Sequence, residues 1–305
     1  MKTLLVVSAG VEAVSGIELA KSMGLHVVVS DLNPNAPGFS LADDQLFAST
    51  YDVEETVAAA RNYHERVRPI DGVMCIASDV PLTVARVAAE LGLPGIPIES
   101  AMLSMDKLAM KERFAREGVP IPWFSQVESV AHLRQLVSIK GFPLVIKPVD
   151  SRGARGVLRL TSDVDLDWAF DVAQSESPTR RVMAEQFMFG PQVSTESLII
   201  DGVAYTPGFA DRNYEYLERY APHIIENGGQ LPSHLNLETQ REVRDLVQRA
   251  AVSMDIRNGV VKGDIVVTDG QPCVIELAAR LSGGYFCTHE IPLNTGVDLV
   301  AAAIR

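Results

Sequence analysis

The sequence predicts a protein of the α/β and α+β classes, with an N-terminal Rossmann-like unit followed by two further lobes. Over residues 1–100, short apolar runs alternate with helix-like stretches, which is typical of a parallel α/β sheet. Beyond that unit, strands follow one another closely, with a glycine-rich loop inside residues 143–161 and a turn signal inside residues 260–276. We therefore predict an α/β domain over residues 1–100, a small α+β lobe over residues 101–180 and a larger lobe over residues 181–305.

The first unit has the expected alternation but lacks a complete dinucleotide-binding motif. Its predicted strands and helices fall at residues 4–7, 14–23, 26–30, 53–67, 72–76 and 82–91. Gly10 and Gly16 lack the third glycine of the dinucleotide fingerprint, although Asp31 stands near the place of a ribose-binding acid. We interpret this turn as structural. An NAD-dependent dehydrogenase is an alternative that rests on this unit alone, and the second half of the chain disfavours it.

The second unit begins with a helix that carries two lysines. Ser104 has the character of an N-cap for a helix over residues 105–117, and Lys107 and Lys111 lie one turn apart on one face of it. Lys147 lies in the apolar strand that follows. A solvated basic stripe is the simple interpretation of the helical pair.

A loop with two glycines and two arginines follows the strand that carries Lys147. Residues 151–156 read Ser-Arg-Gly-Ala-Arg-Gly and lead into another strand, so the loop is not a P-loop, which opens a helix. Glycines let backbone N–H groups approach phosphate oxygens closely, and guanidinium groups neutralise their charge. We expect phosphate binding here; an ordinary exposed hairpin tip is the alternative.

Two carboxylates mark a predicted hairpin near the end of the chain. Asp269-Gly270 is a strong turn signal, and a three-residue loop there places Asp264 opposite Glu276. Because side chains alternate along strands, Lys262 and Arg280 can project from the same face. Two carboxylates about 5 Å apart repel unless a cation lies between them, and Mg²⁺ is usually bound by one or two carboxylates together with substrate phosphates. A solvated hairpin with scattered charges is the alternative.

A long segment between these motifs has little regular pattern. Residues 208–236 are rich in aromatic, polar and proline residues, and long loops in compact domains are more often functional. We expect this segment to set substrate specificity, with Arg212 as a substrate contact; a surface arginine is the alternative. Helices are predicted over residues 237–254 and 297–305.

Composition excludes some classes of function. The net charge of −12 over 305 residues argues against a nucleic-acid partner. No apolar stretch reaches the length of a transmembrane helix, so we expect no membrane partner. The three cysteines are widely spaced without a metal-ligand pattern, which fits a reducing, cytoplasmic setting.

Together, and in this order along the chain, these motifs resemble the ATP-grasp superfamily. No single motif is specific, but their ordered set is. The chain is most similar to carboxylate–amine ligases and to the ATP-grasp module of the carbamoyl-phosphate synthetase large subunit, which implies an ATP-grasp fold behind a Rossmann-like pre-ATP-grasp domain. The motifs are Asp106-Lys107-xxx-Lys111, Gly141-Phe142-Pro143, Val145-Ile146-Lys147-Pro148, the glycine loop, Glu185-Gln186-Phe187, Gly190-Pro191-Gln192-Val193-Ser194, Asp264, and Ile275-Glu276-Leu277-Ala278-Ala279-Arg280-Leu281-Ser282-Gly283-Gly284.

The resemblance implies a role for each matching residue. Asp264 and Glu276 would hold Mg²⁺, as one or two ions, with Mn²⁺ as an alternative. Arg280 and Lys262 would be catalytic, stabilising negative charge near the acyl group. Ser282, Gly283 and Gly284 would help to hold the carboxylate substrate, in addition to the contact expected from Arg212. Contacts with ATP are implied for Lys107, Lys147, Ser151, Arg152, Gly153, Arg155, Gly156, Glu185, Phe187, Met188 and Gln192.

Three residues depart from the pattern of the superfamily. Many members have an acid at the ribose-binding position, where this chain has Gln192, whose amide can still bond ribose hydroxyls. Many have an asparagine at position 278, and Ala278 removes an oxygen ligand and leaves one metal ion less well held. Asp264 stands where glutamate is frequent.

The resemblance implies an ATP-dependent ligase. Such an enzyme activates a carboxylate as an acyl phosphate, releases ADP and transfers the acyl group to an amine or a similar nucleophile. Small-molecule carboxylates and amines are the implied partners, and homodimers are common in the superfamily. Two alternatives stay open: a module that forms carboxyphosphate and carbamoyl phosphate from bicarbonate, and a non-catalytic nucleotide-binding protein, which Ala278 and Gln192 favour and the retained charged residues disfavour.

Overall fold

Three β-sheets organise the molecule. The computed structural model describes residues 1–305. A four-stranded parallel sheet lies in the N-terminal lobe, a four-stranded antiparallel sheet in the small lobe and a five-stranded antiparallel sheet in the large lobe. The predicted combination of α/β and α+β architecture is confirmed. No helix is both long and apolar enough to cross a membrane.

The N-terminal lobe is a parallel sheet with strand order β3-β2-β1-β4. Every residue of the first strand is buried because helices cover both faces of the sheet. Leu4 and Val6 enter one apolar core, whereas Leu5 and Val7 enter another on the opposite face. The elements are β1 (Thr3–Val7), α1 (Val14–Ser22), β2 (His26–Asp31), β3 (Asp44–Phe47), α2 (Val53–Arg66), β4 (Gly72–Met74), α3 (Pro81–Glu90) and α4 (Ile98–Met105).

Asp31 has a structural role at the end of β2. Its carboxylate accepts hydrogen bonds from the backbone N–H groups of Ala9, at 2.9 Å, and Asn33, at 2.9 Å. These bonds fix the turn after β1 against the loop after β2, as the structural interpretation of this turn predicted.

The small lobe is an antiparallel sheet with order β5-β8-β6-β7. Strand β8 pairs with both β5 and β6, so the sheet is complete only at Gln186. The predicted boundary at residue 180 therefore needs correction, because it separates β8 from its partners. The elements are α5 (Lys107–Arg116), β5 (Phe124–Val127), α6 (Val130–Lys140), β6 (Leu144–Pro148), β7 (Leu158–Leu160), α7 (Leu166–Ser175) and β8 (Val182–Gln186).

An aspartate caps the helix that carries the two lysines. Asp106, with φ of −120°, accepts a hydrogen bond from the Ala109 N–H at 2.9 Å and so begins α5. The prediction of Ser104 as N-cap is wrong, because Ser104 lies in α4 and its hydroxyl donates to the Ala101 carbonyl. The Lys107 N–H donates to the Val149 carbonyl, which joins the helix start to the end of β6.

The large lobe is an antiparallel sheet, β11-β10-β9-β12-β13, with α8 packed on one face. Residues 208–212, predicted as irregular, belong to β10 because buried Phe209 and Ala210 extend its pairing with β9. The final helix begins at Leu299. The elements are β9 (Gln192–Ile200), β10 (Val203–Arg212), β11 (Gly229–Gln230), α8 (Leu237–Ser253), β12 (Gly259–Thr268), β13 (Gln271–Ala278), α9 (Ile291–Thr295) and α10 (Leu299–Ile304).

The end of the chain returns to the N-terminal lobe. Leu281, Phe286 and Val300 are buried in the same apolar cluster as Val6 and Ile17. Leu281 also forms a parallel β-bridge with Ile76 at the end of the first sheet. One face of the N-terminal sheet is thus covered by residues that lie more than 250 positions away in sequence.

Gly190 permits a close crossing between β8 and the hairpin of β12 and β13. Its φ is +133°, and an added Cβ would lie 2.0 Å from the carbonyl oxygen of Val267. Gly228 has a similar φ of +125°, but nothing lies within 4 Å of an added Cβ there.

Gly190→Ala should therefore destabilise the fold by about 2 kcal/mol more than Gly228→Ala, because only the former adds a backbone clash to the strain. Urea unfolding of both variants measures the difference in the free energy of unfolding. Equal losses of stability in the two variants would contradict the close approach of Gly190 to Val267.

Candidate active site

The hairpin of β12 and β13 places its two carboxylates side by side. Asp264 pairs directly with Glu276, so the predicted register is confirmed. The predicted three-residue loop is wrong, however. Asp269 and Gly270 form a two-residue turn, both with positive φ, and a bulge at Ile275 restores the same register.

A cavity of about 370 Å³ lies between the small lobe, the hairpin and the N-terminal lobe. It gathers most of the residues that the sequence indicated. Five others lie outside its lining: Arg155, Gly156, Ser282, Gly283 and Gly284. The predicted residues that line it are Lys107, Lys147, Ser151, Arg152, Gly153, Glu185, Phe187, Met188, Gln192, Arg212, Lys262, Asp264, Glu276 and Arg280.

A buried carboxylate joins two lysines at the floor of this cavity. Glu185, only 3% exposed, forms ion pairs with Lys147 and with Lys111, whose Nζ lies 2.8 Å away. Lys111 also donates to the Val274 carbonyl at 3.1 Å. Burial lowers the pKa of Lys111 to about 7 and that of Lys147 well below its usual value. The solvated-stripe interpretation is therefore wrong for Lys111, which is 1% exposed.

Lys107 connects the glycine loop with the hairpin. Its Nζ donates to the Ser151 carbonyl at 2.8 Å and lies 3.7 Å from Glu276 Oε2. The ammonium group thus stands between the loop predicted to bind phosphate and the predicted metal ligands, where it can neutralise a phosphate that contacts both.

Asp264 is surrounded by cations and donors. The Lys262 ammonium contacts its Oδ1, Arg212 Nη1 lies 2.9 Å from the same atom, and the Ser194 hydroxyl donates at 3.1 Å. Burial opposes ionisation, but Lys262 and Arg212 outweigh it and hold the pKa of the Asp264 carboxyl well below its usual range. The Asp264 carboxylate is therefore anionic at neutral pH.

The donor set fits a hard divalent cation. Asp264 and Glu276 face one cavity from adjacent strands, and oxygen donors of this kind suit Mg²⁺. Ala278 also lines the cavity but offers no side-chain oxygen, and no cluster of three or more His, Cys, Asp or Glu residues is present. Further ligands for one ion at this pair have to come from water or phosphate oxygens.

The segment after β10 crosses from the large lobe to the small lobe. Arg159 holds it through two hydrogen bonds to Glu218, each 2.7 Å long, and through its N–H to the Pro222 carbonyl at 2.8 Å. Tyr214 and Glu226 of this segment line the cavity beside Arg212. Glu226 also accepts from Arg212 at 2.6 Å, so the arginine proposed as a substrate contact is already paired with two carboxylates.

The glycine loop reaches the N-terminal lobe. The Arg152 guanidinium lies over the ring of Tyr51, 3.9 Å from its centroid. Arg155 and Gly156 instead lie outside the cavity lining. Tyr51 carried no signal in the sequence, because its contact with Arg152 joins residues about 100 positions apart.

The turn predicted to hold a carboxylate substrate is bound to the protein's own acids. The backbone N–H of Ser282 donates to Glu196 at 2.7 Å, and its hydroxyl donates to the same carboxylate. The Gly284 N–H donates to Glu12 at 2.6 Å. These donors are thus satisfied within the chain and do not face the cavity.

Comparisons with known proteins agree with this architecture. Residues 104–284 match the family model described as an ATP-grasp domain, and residues 17–95 match the model described as an ATP-grasp N-terminal domain. The chain belongs to the ATP-grasp family. The order of lysines, glycine loop and carboxylate hairpin is thus that of an ATP-grasp protein, as the sequence motifs indicated.

Among the curated relatives is an uncharacterized protein, y4rH, of Sinorhizobium fredii, 25% identical over 300 residues that cover 95% of this chain and 60% of that protein. A D-alanine–D-alanine ligase of Desulforudis audaxviator is 27% identical over 228 residues, covering 70% of this chain and 68% of that enzyme. The chain thus spans about three fifths to two thirds of the length of these relatives.

Solved structures share the fold. An L-amino acid ligase from Bacillus licheniformis superposes with a TM-score of 0.80 at 24% identity, covering 100% of this chain and 73% of that one. A biotin carboxylase complex from Campylobacter jejuni gives a TM-score of 0.79 at 20% identity, covering 99% and 70%. At these identities the likeness establishes the ATP-grasp fold.

Glu196 should make stability depend on pH. It is fully buried, and burial raises the pKa of its carboxyl from 4.5 to about 7, against the opposing effect of the Ser282 hydrogen bonds and the nearby Arg280 and Lys262. Because the folded pKa lies above the unfolded one, the free energy of unfolding should fall by about 3 kcal/mol as pH rises from about 4.5 to 7. Glu196→Gln should remove this part of the fall.

Chemical unfolding at pH 5 and pH 8 measures the effect. The control is Glu54→Gln, which removes an exposed carboxylate of the N-terminal lobe. A wild-type protein and a Glu196→Gln variant with the same pH dependence would contradict the prediction.

Proposed function

We propose that this chain is an ATP-dependent ligase that activates a carboxylate as an acyl phosphate and joins it to an amine. One observation carries the proposal: a single cavity contains three lysines, residues of the glycine loop, a carboxylate pair and two further arginines. Phosphoryl transfer depends on positioning and on neutralisation of charge, which these groups supply. Membership of the ATP-grasp family and the similarity to a D-alanine–D-alanine ligase support it.

ATP binding in this scheme uses the predicted residues that line the cavity. Phe187 and Met188, directly after β8, contact the adenine, and Gln192 bonds the ribose. Lys107, Lys147 and the loop that begins at Ser151 bind the phosphates. Asp264 and Glu276 hold Mg²⁺, which neutralises phosphate charge when bound.

The reaction needs no side-chain nucleophile. A carboxylate oxygen of the substrate attacks the γ-phosphorus, and ADP leaves as the bond to its β-phosphate oxygen breaks. The amine then attacks the acyl carbon and releases inorganic phosphate with loss of a proton. Arg280 and Lys262 stabilise the negative charge on the acyl phosphate and on the tetrahedral intermediate.

Amino acids are the substrates that we propose to test first. The names of two similar proteins, a D-alanine–D-alanine ligase and an L-amino acid ligase, describe the joining of amino acids. The cavity is lined by acidic as well as basic side chains, which suits a substrate that carries both an ammonium and a carboxylate.

Glu276→Gln should abolish ligase activity. ADP release is measured with Mg²⁺, ATP and pools of carboxylates (amino acids, hydroxy acids and bicarbonate) crossed with pools of amines. We expect release that requires one carboxylate pool and falls at least about 1,000-fold in Glu276→Gln, since the variant loses a charged metal ligand.

Asp269→Asn is the matched control. It removes a carboxylate from the exposed turn of the same hairpin and keeps a residue that tolerates positive φ. Its activity should stay within about twofold of the wild type, as expected for a surface substitution. Release that depends only on bicarbonate would favour the carboxyphosphate alternative. Binding of Mg-ATP with no release from any pool would favour the nucleotide-binding alternative.

A further inference from the structure

We propose that Asp79 of the N-terminal lobe is a positioning residue that orients Arg280 toward the reacting acyl group. This inference rests on the proposed function, in which Arg280 stabilises the acyl phosphate. The Asp79 carboxylate accepts from Arg280 Nε through Oδ1 at 2.6 Å, and both side chains line the cavity. Asp79 is the only carboxylate within ion-pair distance of that guanidinium.

The pair leaves one end of the guanidinium for a ligand. Nε is bound to Asp79, and Nη1 donates to the Leu281 carbonyl at 3.4 Å. Nη2 has no protein partner, and the Arg280 side chain is 17% exposed. Because a guanidinium is planar, fixing Nε also fixes the direction in which Nη2 presents its donors.

The backbone around Asp79 is fastened to the backbone beside Arg280. The Ala77 N–H donates to the Leu281 carbonyl at 3.1 Å, and Ile76 bridges to Leu281. Ala77 has φ of +57°, an unfavourable conformation for a residue with a Cβ. Backbone strain held in place beside a cavity is a common feature of functional sites. The two residues are therefore held in register by contacts independent of their own ion pair.

A different role for Asp79 makes the opposite prediction. If its carboxylate merely occupied the place of a substrate carboxylate on Arg280, removing its charge would free the guanidinium and strengthen the binding of anions. A positioning role instead requires that anion binding weakens when Asp79 loses its charge, and that the effect disappears when Arg280 is already altered.

Inorganic phosphate serves as the probe, because it is a tetrahedral anion and a product of the proposed reaction. Calorimetry measures phosphate binding, with MgADP present, to the wild-type protein and to four variants. The variants are Asp79→Asn, Asp79→Glu, Arg280→Lys and the Asp79→Asn/Arg280→Lys double variant. Steady-state kinetics follow, with KM for ATP and for the carboxylate determined separately. Glu90→Gln is the control, since it removes a carboxylate that pairs with Arg61 elsewhere in the same lobe.

We expect Asp79→Asn to weaken phosphate binding about tenfold and to lower kcat at least tenfold, with KM for ATP and the melting temperature nearly unchanged. Asp79→Glu should recover part of the loss, and the double variant should bind phosphate no more weakly than Arg280→Lys. Tighter phosphate binding by Asp79→Asn, additive losses in the double variant, or a wild-type protein that binds no phosphate would each overturn the assignment.

The phosphate measurement separates this inference from the proposed function. A wild-type protein that binds phosphate in an Asp79-dependent manner but releases no ADP with any carboxylate would overturn the ligase function and leave the positioning of Arg280 supported. If ADP release depends on a carboxylate but phosphate binding is the same with and without the Asp79 charge, the ligase function is supported and the positioning role of Asp79 is overturned.

Discussion

The buried Glu185 carboxylate connects the small-lobe sheet with helix α5, and Lys111 extends this connection to the hairpin of the large lobe. A carboxylate taken out of water is strongly unfavourable unless cations compensate it. Here strand β8 supplies the carboxylate, strand β6 supplies Lys147 and helix α5 supplies Lys111, which also bonds the carbonyl of Val274 in the hairpin. The small-lobe sheet, helix α5 and the hairpin are thus joined by one network of ion pairs and hydrogen bonds. The cavity lies next to this network.

Paired charges of opposite sign also occur throughout the cavity. Asp264 is balanced by Lys262 and Arg212, Arg280 by Asp79, and Lys107 lies near Glu276. Each of these side chains is thereby oriented before any ligand enters. Such preorganisation spares the reorganisation that flexible polar groups would undergo during a reaction, which is the main source of electrostatic catalysis.

The local signals in the sequence were sufficient for the hairpin, the glycine loop and three of the four strands of the first sheet, whereas β3 (Asp44–Phe47) was missed. Alternating apolar residues and the Asp269-Gly270 turn placed Asp264 opposite Glu276, even though a bulge rather than a longer loop produces that register. The sequence did not predict contacts between residues that lie far apart along the chain. The burial of Lys111 depends on Glu185 and Val274, and the pairing of Asp79 with Arg280 joins residues 201 positions apart. Periodicity carries no information on such contacts.

Residues 281–300 pack on one face of the first sheet, and this affects when the N-terminal lobe can finish folding during synthesis. Leu281, Phe286 and Val300 complete a core that begins with Val6 and Ile17. While a ribosome is still translating the small and large lobes, that face of the N-terminal sheet has only the apolar cover that its own lobe supplies, including Ile17 and Ala20 of α1. Domains commonly fold one after another as they emerge; here the apolar core of the N-terminal lobe is complete only once Leu281, Phe286 and Val300 have been made and have packed against it.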